Sequence, residues 1–333
     1  MHKNRQTPIY TKEMGKKISP YCSRISEVIL GATKAYGGTR DRSHTIGGET
    51  APAFHYSEGF TSRRQVISHD VFDMPISLPG HVREHFPDVM EDPVKWAKYR
   101  VERYGAQMIT LHMVSTDPRI KDTPIKDACG TIEDVLQAVK VPIIIGGSGN
   151  PKKDPELLEK AAIVCSGEKV LLSSVDPKMD YKRVVKAAIE HGHSVLSLIS
   201  MNPDEMRRFN KTLLRLGLKR EQMVMDLFTG GVGYGIEYSV SAMERCRLAG
   251  LSGDDALGLP IASATSNAWS AREAWMKNDA WGPRELRGPL WEAMTAEAAL
   301  LSGADLFMML HPRAIASMDT LIDSLNKKTK AQR

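Results

Sequence analysis

Residues 194–217 read SVLSLISMNPDEMRRFNKTLLRLG. The first seven form an apolar run of strand length, and Asn202-Pro203 then suits a helix cap followed by the first helical position. Met206, Phe209, Leu213 and Leu216 recur at helical spacing as a buried stripe, and Gly217 closes the helix. A strand that runs directly into an amphipathic helix is the repeating half of a parallel βαβ fold.

The same phrase recurs along the chain. Strand-like runs appear at 65–72 (QVISHDVF), 108–115 (MITLHMVS), 142–148 (PIIIGGS), 169–175 (KVLLSSV), 194–200, 223–228 (MVMDLF), 260–266 (PIASATS) and 305–311 (DLFMMLH). Helical patterns lie between them, as at 93–104, where Val94, Ala97, Val101 and Tyr104 share a face before Gly105. Eight strand-then-helix units are the number that closes a parallel sheet, so the fold class is α/β, a (β/α)8 TIM barrel. Ahead of it, ISEVILGAT and SHTIGGET predict a β-hairpin turning at Gly37-Gly38, able to plug one barrel mouth or to pack on a partner. The expected organisation is an N-terminal extension and hairpin over 1–64, the barrel over 65–326 and a basic tail over 327–333.

With 42% hydrophobic and 26% charged residues in 333, and no apolar run near the roughly 18 residues of a membrane span, the chain reads as globular and cytoplasmic, without signal or anchor. The net charge of +5 is spread among 40 acids; only Lys12–Lys17 and Lys327–Arg333 are locally basic, and no aromatics interleave there, so nucleic acid is not an expected partner. Cys22, Cys129, Cys165 and Cys246 lie 107, 36 and 81 residues apart. No pair has cluster or metal spacing, which excludes a locally bound iron-sulfur cluster and makes each thiol a small core residue.

Candidate chemistry gathers where the strands end. Asp117, Asn150, Asp176, Asn202 and His311 each precede a proline, a pattern that turn and cap geometry explains but that also marks the carboxyl-terminal rim, where this fold binds ligands. Asp117, Asn150, Asp176 and Asn202, with Asp70, Asp73, Asp226 and Asn267, could ring a pterin, which makes pterin-dependent methyl transfer a second reading. His69, His112 and His311 have no His partner at ligand spacing and read as core or rim residues. At 229–235, TGGVGYG packs four glycines into six positions, more than a tight turn needs, so ligand contact is expected there. Trp269, Trp275, Trp281 and Trp291 read as packing or a partner surface. In GATKAYGGTRDRSHTIGGETAPAF (31–54), His44 narrowly misses the corrinoid pattern D-x-H-x-x-G, because the residue two before it is Arg42 and Asp41 comes one step early. His44 is therefore no cobalt ligand.

That stretch, together with VFDMP (71–75), STDP (115–118), GSGNPKKD (147–154), FTGGVGYGIEYSVSAMERCRLAGL (228–251), RGPLWEAMTA (287–296) and GADLFMMLHP (303–312), resembles the small (delta) subunit of the corrinoid iron-sulfur protein of the acetyl-CoA synthase/decarbonylase (CODH/ACS) pathway. The resemblance runs in order from about residue 26 to 325. It implies a barrel paired as a heterodimer with a large (gamma) subunit, which carries the iron-sulfur cluster and the cobalamin domain. The cobalamin would lie between the two subunits and relay a methyl group from a methyltetrahydropterin, held by a separate pterin methyltransferase, to the nickel-iron cluster of acetyl-CoA synthase/CO dehydrogenase. This chain would then cap the corrinoid without a complete active site, catalytic residue or metal of its own. By rim position, Thr229, Gly230, Gly231, Tyr234, Asn202 and Asn267 are the expected cobalamin contacts. The alternative is a self-sufficient pterin-dependent (methyltetrahydrofolate) methyltransferase barrel.

Overall fold

The computed structural model describes residues 21–331 apart from 57 and 60–62. Lys12–Lys17 lies outside the described residues, as do the side chains from Lys327 on. The hairpin is present: β1 (Val28–Leu30) pairs antiparallel with β2 (His44–Ile46), with Val28 opposite Ile46. Then β3 (Val66–Phe72), β4 (Ile109–His112), β5 (Ile143–Gly146), β6 (Leu171–Val175), β7 (Ser194–Leu198), β8 (Met223–Asp226), β9 (Ile261–Ala264) and β10 (Leu306–Met309) pair in parallel and in chain order. β10 returns to β3, which closes the eight-stranded barrel read from the sequence.

The helices follow from local chemistry. After β3 come α1 (Gly80–Arg83) and α2 (Pro93–Tyr104); α3 (Ile125–Ala138), α4 (Asp154–Val164), α5 (Tyr181–His191), α6 (Pro203–Arg215) and α7 (Ile236–Leu251) follow the next five strands. The seventh unit carries α8 (Arg272–Trp275) and α9 (Arg284–Leu301), and α10 (Pro312–Ala331) is last. Asn202 caps α6, its Oδ1 accepting from the amides of Asp204 and Glu205, and Pro203 fills the first position. Met206, Phe209 and Leu213 are buried as expected, but Leu216 is 39% exposed, because the helix has ended by then and its side chain leaves the stripe. On α2 the buried face holds Ala97 and also Trp96 and Arg100; the apolar pattern alone did not include the latter two.

Two apolar clusters account for the packing. Side chains that point out of the barrel, such as Ile109, Ile143, Leu172, Met225 and Phe307, pack under the helices. Those that point in, Val66, Met108, Ile144, Leu171, Leu196, Val224, Ala262 and Leu306, meet Val28, Leu30 and Ile46 of the hairpin. Most of these inward residues stand at or near the strand starts, so the hairpin seals the amino-terminal mouth and adds about 1.5–3 kcal/mol for each aliphatic side chain it buries. Its glycines allow the close fit: at Gly31 (φ +83°) a Cβ would stand 2.4 Å from Pro142. His44 Nε2 donates to the Gln107 carbonyl at 3.0 Å, and Arg42 pairs with Asp41.

The cysteines are not all core residues. Cys165 and Cys246 are buried, but Cys129 is half-buried and Cys22 is exposed, just ahead of the first buried hairpin residue.

Candidate functional site

With the amino-terminal mouth sealed, the carboxyl-terminal rim is the open end of the barrel. The residue before each rim proline does the same job: its side chain accepts a hydrogen bond from the amide two residues on. The distances are 2.9 Å for Asp117 from Arg119, 3.1 Å for Asn150 from Lys152, 2.6 Å for Asp176 from Lys178, 3.1 Å for Asn202 from Asp204 and 3.1 Å for His311 Nδ1 from Arg313. These are turn and cap positions. Asp73 accepts from both the amide and the hydroxyl of Ser115.

The glycine-rich loop after β8 is built differently. A Cβ at Gly230 would meet the Tyr234 carbonyl at 2.6 Å, and one at Gly231 would stand 3.1 Å from Ala268 Cα; Gly233 and Gly235 have positive φ. The loop's own folding therefore uses all four glycines. Thr229 is fully buried, its hydroxyl 2.6 Å from that of Ser263, and its carbonyl accepts from Asn267 Nδ2 at 3.1 Å. Trp291 Nε1 donates to the Val232 carbonyl. The loop brings Thr229, Gly230, Gly231 and Asn267 together as a packed base, whereas Tyr234 stands 45% exposed and donates to Glu273. Asn202 is exposed on the neighbouring unit.

Sequence reasoning missed the aromatic surface around this loop. Phe228 is 42% exposed with φ +59°, a left-handed conformation that costs a bulky residue about 1 kcal/mol, and Tyr238 lies exposed one helical turn past Tyr234. Among the described residues, ten of the sixteen large apolar or aromatic side chains that are exposed fall from Phe228 to Leu301. They include Trp275 and Trp281, and Leu286, Leu290 and Met294 at i, i+4 and i+8 on α9. Trp269 and Trp291 are instead structural. Trp269 Nε1 donates to Glu292, which also accepts from the amides of Leu310 and His311. Burial raises the Glu292 carboxyl to about 7 against the opposing pull of its three donors.

Inside the mouth the strand register pairs groups far apart in sequence. Asp70 and His112 are both at inward positions of adjacent strands, and His112 Nε2 donates to the fully buried Asp70 at 3.0 Å. Phe72 stacks on the imidazole, 4.8 Å between centroids. Counting alternate residues along β3 and β4 would have found this pair. Asp226, inward on β8, is held by the Phe228 amide at 2.7 Å, and burial raises its pKa to about 7. His69 faces outward, and burial depresses it to about 3. Among the described residues no group of three or more His, Cys, Asp or Glu is placed to hold a metal ion, and no helix is long and apolar enough to cross a membrane.

The closed parallel barrel superposes on those of the dihydropteroate synthases. The Xanthomonas albilineans enzyme superposes with a TM-score of 0.53 at 15% identity, covering 80% of this chain and 94% of that one; the Burkholderia cenocepacia enzyme gives 0.52 at 13%, covering 83% and 96%. At that identity the likeness concerns the fold alone. Residues 27–311 match the family described as CO dehydrogenase/acetyl-CoA synthase delta subunit, and this chain belongs to that family. The acetyl-CoA decarbonylase/synthase complex subunit delta of Methanopyrus kandleri is 52% identical over 292 residues, covering 87% of this chain and 72% of that protein. Its counterpart from Archaeoglobus fulgidus is 47% identical over 315 residues, covering 92% and 70%.

Proposed function

We propose that this chain is the barrel subunit of an acetyl-CoA decarbonylase/synthase complex and covers one face of a cobalamin carried by a larger corrinoid and iron-sulfur partner. The observation that carries the reading is the concentration of exposed rings beside the open mouth, Phe228, Tyr234 and Tyr238; Leu286, Leu290 and Met294 of α9 are a further exposed apolar stripe. A protein with this much unpartnered aromatic surface on one side is built for association. When bound, the corrinoid supplies a cobalt centre that accepts and releases a methyl group.

The rim suits a flat macrocycle in a limited way. Phe228 and Tyr234 offer apolar faces that exclude water, and Asn202, whose Oδ1 serves the α6 cap, keeps its amide nitrogen for a polar arm. Thr229, Gly230, Gly231 and Asn267 shape the loop beneath. Each of these rim histidines uses one ring nitrogen inside the chain, His112 Nε2 on Asp70 and His311 Nδ1 on the Arg313 amide, and the part read for this chain is to cover the corrinoid. The pterin methyltransferase and the acetyl-CoA synthase/CO dehydrogenase would dock on the assembled pair, in the cytoplasm.

Affinity purification of the tagged chain from cells that make the whole complex tests this. A larger subunit with corrinoid and iron-sulfur absorbance should elute with it at equal stoichiometry. A colourless, homogeneous monomer would refute the reading.

A further inference from the structure

We infer that the cleft between the start of β3, α10 and the N-terminal hairpin is a binding site for a small aliphatic di- or polyamine. It lies at the plugged end of the barrel, away from the glycine-rich loop, and does not depend on the corrinoid reading. The cleft measures about 490 Å³, within the usual size of ligand pockets. Arg64, Asp319 and Asp323 stand partly exposed in its wall, His44 and Gln107 line it from the hairpin and the turn before β4, and Ile67 and His69 of β3 are its buried side.

Its origin lies in how the helix ring meets the strand. Asp319 and Asp323 are one turn apart on α10, and Arg64 bridges them, Nη2 to Asp319 Oδ1 at 2.8 Å and Nε to Asp323 Oδ1 at 2.9 Å. On the opposite side α2 has ended, and a Cβ at Gly105 would meet nothing within 4 Å, so the space beside β3 stays open.

The lining decides the ligand class. Among the described lining residues Arg64 is the sole cation, and burial holds both imidazoles in the neutral form. One guanidinium against two carboxylates leaves a net charge of −1. The donors of Arg64 are spent on the two aspartates and on the Gln65 carbonyl, whereas each aspartate keeps its Oδ2 beyond the oxygen that Arg64 uses. The Gln107 carbonyl only accepts, so His44 carries its proton on Nε2 and keeps Nδ1 as an acceptor. Gln107 donates through Nε2 to the Gly105 carbonyl and keeps Oε1. Within the buried side, His69 Nδ1 has no hydrogen-bond partner among the described residues. Phosphates and carboxylates are therefore repelled, while ammonium groups meet several acceptors through charge-assisted bonds and their methylenes lie against Ile67.

Equilibrium dialysis and calorimetry of the purified full-length chain with putrescine and with spermidine, at about 0.15 M ionic strength, test the inference. At least one should bind saturably, and the diol of the same chain length as putrescine should not. Asp319→Asn and Asp323→Asn should each weaken binding by roughly fivefold, and Arg64→Gln should tighten it by roughly threefold by releasing both carboxylates to the ligand. That opposite sign separates a binding role from damage to the fold, which would weaken binding in every variant. Asp255→Asn, which alters a surface pair with Arg220, should change nothing. Failure of both amines to bind, equal affinity for Asp319→Asn and the parent, or displacement of the amine by magnesium at equal ionic strength would overturn the site. None of these outcomes bears on the association with a corrinoid subunit, which is read by co-purification.

Discussion

Arg40 and Glu168 form a buried ion pair, Nε to Oε2 at 2.8 Å, that fastens the N-terminal hairpin to the barrel. The guanidinium also donates to the carbonyls of Leu136 and Val139, and the Thr39 amide donates to the same carboxylate. On the far side of the hairpin, Arg247 joins Glu49 to Asp305, both largely buried. The hairpin is thus an integral plug, held at two places and by its own apolar face.

Removing one partner strands the other. Arg40→Ala should cost about 3–5 kcal/mol in urea unfolding, since it leaves a buried carboxylate without its cation. Arg40→Ala combined with Glu168→Leu should recover part of that loss. A cost under about 1 kcal/mol would mean that the pair is solvated, as surface pairs are.

Asp226 gives a pH signature. Its folded pKa of about 7 lies above the usual 3.8 because burial disfavours the charged form. Between those values the folded chain keeps a proton that the unfolded chain releases, so stability from this group is full below about 3.8, falls as pH rises and levels off above about 7. Asp226→Asn retains the bond from the Phe228 amide and should match the parent near pH 4. At pH 8 it should be more stable by on the order of 2–4 kcal/mol. Equal differences at both pH values in chemical denaturation would contradict the shift.

Glu292 behaves otherwise, since all of its partners are donors. Glu292→Gln turns an NH₂ toward at least one of them and should destabilise by about 1–3 kcal/mol, read as a lowered midpoint with an unchanged denaturant slope.

The thiols should separate by burial. Burial pushes those of Cys165 and Cys246 up to about 12, so a thiol reagent at pH 8 should modify them only on unfolding. Cys22, being exposed, should react in the native state. Native labelling of all four, counted by mass, would mean that the core opens readily.

Much of this fold is legible in the sequence because strand and helix periods are local. The eight runs became eight strands, and Asp92-Pro93 and Asn202-Pro203 start helices as their chemistry dictates. What required three dimensions was pairing across the barrel. Asp70 and His112 are 42 residues apart and meet only through register. The glycines of TGGVGYG look like a ligand cradle in one dimension; in space they are consumed by the loop's approach to itself and to Ala268. Leu216 fits a helical stripe by spacing, yet the helix stops at Arg215. The exposure of Phe228 and of the α9 stripe follows from what does not cover them, which no local pattern encodes.

Phe228 joins strain to exposure. Phe228→Asn should relieve the left-handed backbone and stabilise the free chain by up to about 1 kcal/mol. The same change removes a ring from the proposed interface, so stability and association should move in opposite directions.

The most direct measurement is sedimentation-velocity titration of this chain with the isolated large corrinoid subunit, for the parent and for Phe228→Asn combined with Tyr234→Ser. The account predicts a one-to-one complex with the parent, weakened by roughly tenfold to a hundredfold in the double variant, as loss of aromatic anchors implies. No complex with the parent, or equal affinity for both chains, would contradict it.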